Sequence, residues 1–135
     1  MVDVMFELYR FKDTSIKARK VAEKYGLWWI LIDYYETTGF MLTPRGRMNL
    51  KDFFNRVLQV YNEMKDYVQR VYIHARFRVP QSEYERVKDC VGKLNAIVHR
   101  GFYYIVEVDR VVHEEELSKL PEYLQCLIKL AGVSR

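Results

Sequence analysis

Residues 71–79 read Val-Tyr-Ile-His-Ala-Arg-Phe-Arg-Val, an alternation that gathers Tyr72, His74, Arg76 and Arg78 on one side of an extended segment. Successive side chains of a strand point to opposite faces, so cations would stand beside aromatic planes there. That pairing suits single-stranded nucleic acid, whose phosphates meet guanidinium groups and whose unstacked bases lie on rings. The same face would also persist as a solvated surface with cross-strand ion pairs to Glu7, Asp33 or Glu36. A second basic group is Arg45 and Arg47, in Thr43-Pro44-Arg45-Gly46-Arg47, with Lys51 just beyond at the start of an expected helix. Backbone N–H groups at a helix N-terminus favour anions, which makes these three candidate phosphate contacts.

A second chemistry needs carboxylates. Glu107 and Asp109 share one face of an expected strand and could hold a divalent cation with Asp33 or His74 from another strand. Such a centre would support a metal-dependent nuclease or nucleotidyl-transfer reaction. The chain has no glycine-rich phosphate loop, no His-x-x-x-His pair and no nucleophile motif, so no catalytic residue is assigned and no cofactor beyond that alternative cation is expected. His113, beside Glu114, Glu115 and Glu116, reads as a surface residue.

The elements that must position these groups fit within 135 residues, the size of a single domain spanning 1–135. Lys and Arg outnumber Asp and Glu by 22 to 18, a modest net charge of +4 that favours an anionic partner without demanding one. The longest apolar run, residues 27–32, is far short of the roughly 20 residues of a membrane span, and no secretory signal is recognised. The expectation is a cytoplasmic protein without membrane contact. Dense charge with few Asn and Gln hints at a thermophilic source. Cys90 and Cys126 have no neighbouring Cys or His at ligand spacing and are expected to be unpaired, buried apolar residues.

Periodicity predicts a strand over 4–11, a helix ended by Gly26, and a strand over 27–37 so rich in Trp, Ile and Tyr that a central position is expected. Thr38-Gly39 is read as a turn into a short strand at 40–42. Asn49 caps a helix running to Val68, the strongest apolar stripe of the chain. After the strand at 71–79, Pro80 stops it and Ser82 with Glu85 forms a capping box for a helix reaching Gly101. A strand over 102–112 and a last helix bearing Leu117, Leu120, Leu124, Leu127, Ile128 and Ala131 complete the order. That last stripe either closes the core or forms a homodimer seam.

Val71-Tyr72-Ile73 and Arg100-Gly101-Phe102-Tyr103-Tyr104-Ile105 resemble two strand signatures of the RNA-recognition motif. That family has a helix and a strand between them, where one helix is predicted here, so its residues are not carried across. No internal repeat is visible. The expected fold is α+β, with a ferredoxin-like β-α-β-β-α-β front half extended by α-β-α in one mainly antiparallel sheet with helices packed on it. The expected function is nucleic-acid binding through the basic and aromatic sheet face. The alternatives are the metal-dependent enzyme and a protein-interaction or assembly module.

Overall fold

The computed structural model describes residues 2–135. Alternating apolar residues build β1 (Asp3–Tyr9), and α1 (Thr14–Lys24) returns to β2 (Trp28–Asp33). Gly26, at φ 69°, takes the left-handed conformation that ends α1 where the sequence places the stop. β3 (Thr37–Thr43), α2 (Leu50–Met64) and β4 (Val68–Pro80) complete the ferredoxin-like order. The Asn49 side chain caps α2, accepting from the Asp52 N–H at 2.8 Å. The remainder is α3 (Gln81–Lys93), β5 (Ile97–His99), β6 (Tyr103–Val112) and α4 (Leu120–Val133), the last preceded by a 3-10 segment, Glu114–Lys119.

The fold is α+β. Its single sheet has the order β2-β3-β1-β4-β6-β5, with antiparallel pairing throughout. The first four strands in that order are the ferredoxin-like arrangement. The C-terminal part repeats it: β4-α3-β5-β6-α4 follows the same path as β1-α1-β2-β3-α2, and the two units meet at the β1–β4 pair. The expectation of no repeat is thus corrected at the level of topology, which a shared backbone path preserves without shared side chains.

All four helices lie on one side. Val4, Phe6 and Leu8 of β1, Phe40 and Leu42 of β3, Val71, Ile73, Ala75, Phe77 and Val79 of β4, and Val106 and Val108 of β6 are buried beneath them. α2 packs against α4, and α4 against α3 and β4. The stripe Leu120, Leu124, Leu127 and Leu130 is buried in that layer, so of the two roles read from its pattern this face of α4 takes core closure. No helix among the described residues is long and apolar enough to cross a membrane.

Five further expectations are corrected. β2 is an edge strand, exposed where a central one was expected, because pairing with β3 alone places it outermost. The turn before β3 falls at Tyr34 to Thr37, closed by the Tyr34 N–H donating to the Thr37 carbonyl at 2.9 Å, and Thr38 and Gly39 belong to the strand. α3 begins at Gln81 directly after Pro80 with no side-chain cap, so Ser82 lies inside it. It stops at Lys93, where Asn95 turns left-handed at φ 50°, and Ile97 and Val98 form β5 instead of extending the helix. Finally, Cys90 and Cys126 are joined in a disulfide with Cα atoms 5.2 Å apart. Packing of α3 beside α4 brings together cysteines that are 36 residues apart in sequence.

Candidate nucleic-acid interface

The side of the sheet away from the helices has no element over it among the described residues. Cross-strand register assigns its occupants. Tyr72 of β4 stands between Met5 and Val111, His74 between Asp3 and Asp109, and Arg76 opposite Glu107, which in turn faces Ile97. Arg78 stands opposite Ile105. His74, Arg76 and Arg78 are exposed and Tyr72 is half-buried, so the four residues singled out from the sequence do form one open row. At its far end Arg70 makes a two-pronged contact with Glu7, Nε to Oε2 at 2.9 Å and Nη2 to Oε1 at 3.0 Å. Beside that pair, Gly39 of β3 leaves room for the Tyr34 ring, and Met5, Tyr34, Tyr35, Arg70 and Tyr72 line a hollow of about 450 Å³. Partnering raises the already high Arg70 pKa, mainly through its hydrogen bond to Glu7, so this cation is permanent.

The two ends of the sheet differ in charge. β3 and β4 both run opposite to β1, so their C-terminal ends lie together, with the N-terminal ends of β1, β2 and β6. That end holds Arg45, Arg47, Arg76, Arg78, His99 and Arg100, together with Trp28, Phe102 and Tyr103, and the acids Asp3, Glu107 and Asp109. The opposite end holds Asp33, Glu36 and Glu114 to Glu116, which outnumber its cations Arg10, Lys12 and the Glu7-paired Arg70. The Arg78 guanidinium lies 3.9 Å from the centroid of the Tyr103 ring, and that of Arg45 lies 5.0 Å from the Trp28 ring. Neither arginine has a carboxylate partner among the described residues. Arg76 is partly neutralised, 3.5 Å from Glu107, which also approaches His99 at 3.4 Å. An exposed pair of this kind holds its ions weakly and leaves them available to a competing phosphate.

Of the second basic group, Arg45 is drawn to the sheet end through Trp28, and Arg47 stays exposed in the same loop. There the Met48 N–H donates to the Arg45 carbonyl at 3.2 Å, and Gly46 supplies the left-handed φ of 61° that closes the turn. Lys51 is separated from them. It lies in the helix layer, lining a groove with Lys93, Lys129 and the Cys90–Cys126 bridge.

The alternative metal set is divided in the same way. Glu107 and Asp109 share the open face of β6, with Arg76 and His74 opposite, but Asp33 is on β2, four strands away. At ~4.8 Å per strand the separation is ~19 Å, which no single ion bridges. Among the described residues no group of three His, Cys, Asp or Glu is placed to hold a metal ion.

Sequence reasoning missed Trp28, Phe102 and Tyr103. Trp28 was hidden inside an apolar run read as buried, yet it is 54% exposed, and Phe102 is 87% exposed. The RNA-recognition resemblance also changes. β5 supplies the strand whose absence counted against it, so a helix and a strand do separate the two segments. The signature still fails on register: Tyr104 packs on Tyr84 in the helix layer, ring centroids 4.5 Å apart, and the open-face residues of β6 are Tyr103, Ile105 and Glu107.

No family model matches the chain, and no curated protein matches it. Among solved structures it is similar to the regulatory subunit of aspartate kinase from Thermus thermophilus, at 10% identity over 99% of this chain and 92% of that one, with a TM-score of 0.35. The regulatory subunit of aspartate kinase from Thermus flavus is similar at 11% identity over 98% and 92%, with a TM-score of 0.36. The aspartate kinase of Clostridium acetobutylicum is similar at 8% identity with a TM-score of 0.33, over 99% of this chain and 33% of that one. The resemblance is loose, and no site residue is carried over from it.

Proposed function

We propose that the chain binds single-stranded nucleic acid across the basic and aromatic end of its open sheet face. The observation that supports this reading most is the pair of uncovered cation and ring contacts at one end of the sheet, Arg78 over Tyr103 and Arg45 over Trp28. A stacked guanidinium presents its edge N–H groups to a phosphate while the neighbouring ring presents a surface to a base. Between Trp28 on β2 and Tyr103 on β6 lie β3, β1 and β4, so a strand running obliquely across the sheet would meet Trp28, His74 and Tyr103 in turn. The excess of carboxylates at the opposite end disfavours the same backbone there.

Polarisation titration of short labelled RNA and DNA single strands tests this reading. Trp28→Ala and Tyr103→Ala should each raise Kd by about 5- to 150-fold, the loss of one stacked base. Unchanged affinity in both variants would remove the sheet end as the site.

A further inference from the structure

The strand β2 is apolar over five of its six residues, yet none of them is buried. β2 reads Trp-Trp-Ile-Leu-Ile-Asp, and Trp28, Ile30 and Ile32 are 54%, 50% and 37% exposed on the open face, with Trp29 and Leu31 only half-buried on the other. It is also an edge strand, paired with β3 alone, so one side of its backbone presents a row of unpaired N–H and C=O groups. Folded chains blunt such edges with brevity, charge, proline or bulges. The opposite edge follows the rule, since β5 has three residues and runs into His99 and Arg100. β2 has six residues, no Lys, no Pro and no register shift against β3.

We infer that β2 is the seam of a symmetric homodimer, in which it pairs antiparallel with β2 of a second copy about a two-fold axis near Ile30, making one continuous twelve-stranded sheet. This inference rests on the free edge of β2 and not on nucleic-acid binding, although both readings use Trp28.

The partner is a second copy because the edge is complementary to itself in that orientation and in no parallel one. Cations flank the N-terminal end of β2, with Arg45 over the Trp28 ring and Arg19 5.5 Å from the Trp29 ring. Asp33 and Glu36 are exposed at and beyond its C-terminal end, outnumbering Arg10, which donates there to the Tyr34 and Tyr35 carbonyls. Antiparallel pairing lays each end against the opposite end of the partner strand, so both junctions join unlike charges, and a two-fold axis doubles every favourable contact. A parallel arrangement would set cations beside cations.

The register follows from the open face. Opposed residues in an antiparallel pair share a face, so an axis at Ile30 sets Ile30 against its own copy and Trp28 against the partner's Ile32. Within one chain Ile30 already stands opposite Met41, Met41 opposite Met5, Met5 opposite Tyr72 and Tyr72 opposite Val111. Pairing at Ile30 joins two such apolar rows into one and shields the flank of the Ile30 side chain that faces the free edge.

Light scattering coupled to gel filtration, on nucleic-acid-free protein, should give twice the 16.3 kDa of one chain at high micromolar concentration. Ile30→Lys places like charges directly opposite each other at the axis and should weaken dimerisation by more than about tenfold, as should Ile30→Glu. An equimolar mixture of the two variants should regain the doubled mass, which a fold-damaged variant would not do. A monomeric wild-type chain, a dimer indifferent to both substitutions, or two monomeric variants that fail to restore each other would each overturn the inference.

Discussion

Phe77→Ala is expected to destabilise the chain by about 3–5 kcal/mol, the usual cost of removing a fully buried aromatic ring. Phe77 is wholly inaccessible, and its ring lies 6.0 Å from that of Phe54, which in turn lies 5.1 Å from Phe53. These three rings join the C-terminal half of β4 to the N-terminal part of α2, so the vacated space would be bounded by rigid neighbours that collapse poorly into it. The flanking residues Arg76 and Arg78 are exposed on the other side of the same strand, and their alanine variants should change stability by no more than about 0.5 kcal/mol each. Urea denaturation of the three variants checks both statements. Similar losses for Phe77→Ala and Arg78→Ala would contradict the assignment of core and open faces on β4.

The second large effect lies in the helix layer. Loss of the Cys90–Cys126 bridge, by reduction or by Cys90→Ala with Cys126→Ala, should cost about 3–4 kcal/mol, the chain-entropy value for a loop of this length. For a chain of this size that corresponds to a melting temperature lower by about 10–15 °C. The bridge ties α3 to α4 on the far side of the sheet, so nucleic-acid affinity should be unaffected. Thermal melts with and without reductant, with a thiol count on the unfolded oxidised chain, measure it directly. Coincident melts, or two free thiols before reduction, would contradict the pairing. Disulfides of this kind persist in oxidising compartments and inside hyperthermophile cells.

What was legible in the sequence was whatever local chemistry determines. The unbroken alternation of residues 71–79 defines both faces of β4, and Asn49 with the stripe Phe53, Val57 and Tyr61 defines α2, because a cap and a period act over a few residues. The identity of the edge strand was not legible. Trp28 to Ile32 has the composition of a central strand, and only the pairing order, set by contacts distant in sequence, puts it outside. β5 has three residues, too short for a period, and depends on the left-handed Asn95 that precedes it. The disulfide and the separation of Asp33 from Glu107 and Asp109 likewise depend on which elements lie side by side. Within the candidate interface, Tyr72, His74, Arg76 and Arg78 were visible as one strand's residues. Their companions Trp28, Arg45 and Tyr103 join them across the sheet, beyond the reach of local spacing.

The salt dependence of binding tests the central claim most directly. Titrations of one single-stranded oligonucleotide over a range of salt concentrations, with the wild-type chain and the Arg76→Ala plus Arg78→Ala variant, compare the slopes of log K against log salt. Two lost phosphate contacts on a single strand should make the variant's slope shallower by about 1.4 and its affinity weaker at low salt. Equal slopes and equal affinities for the two proteins would contradict nucleic-acid binding by this face.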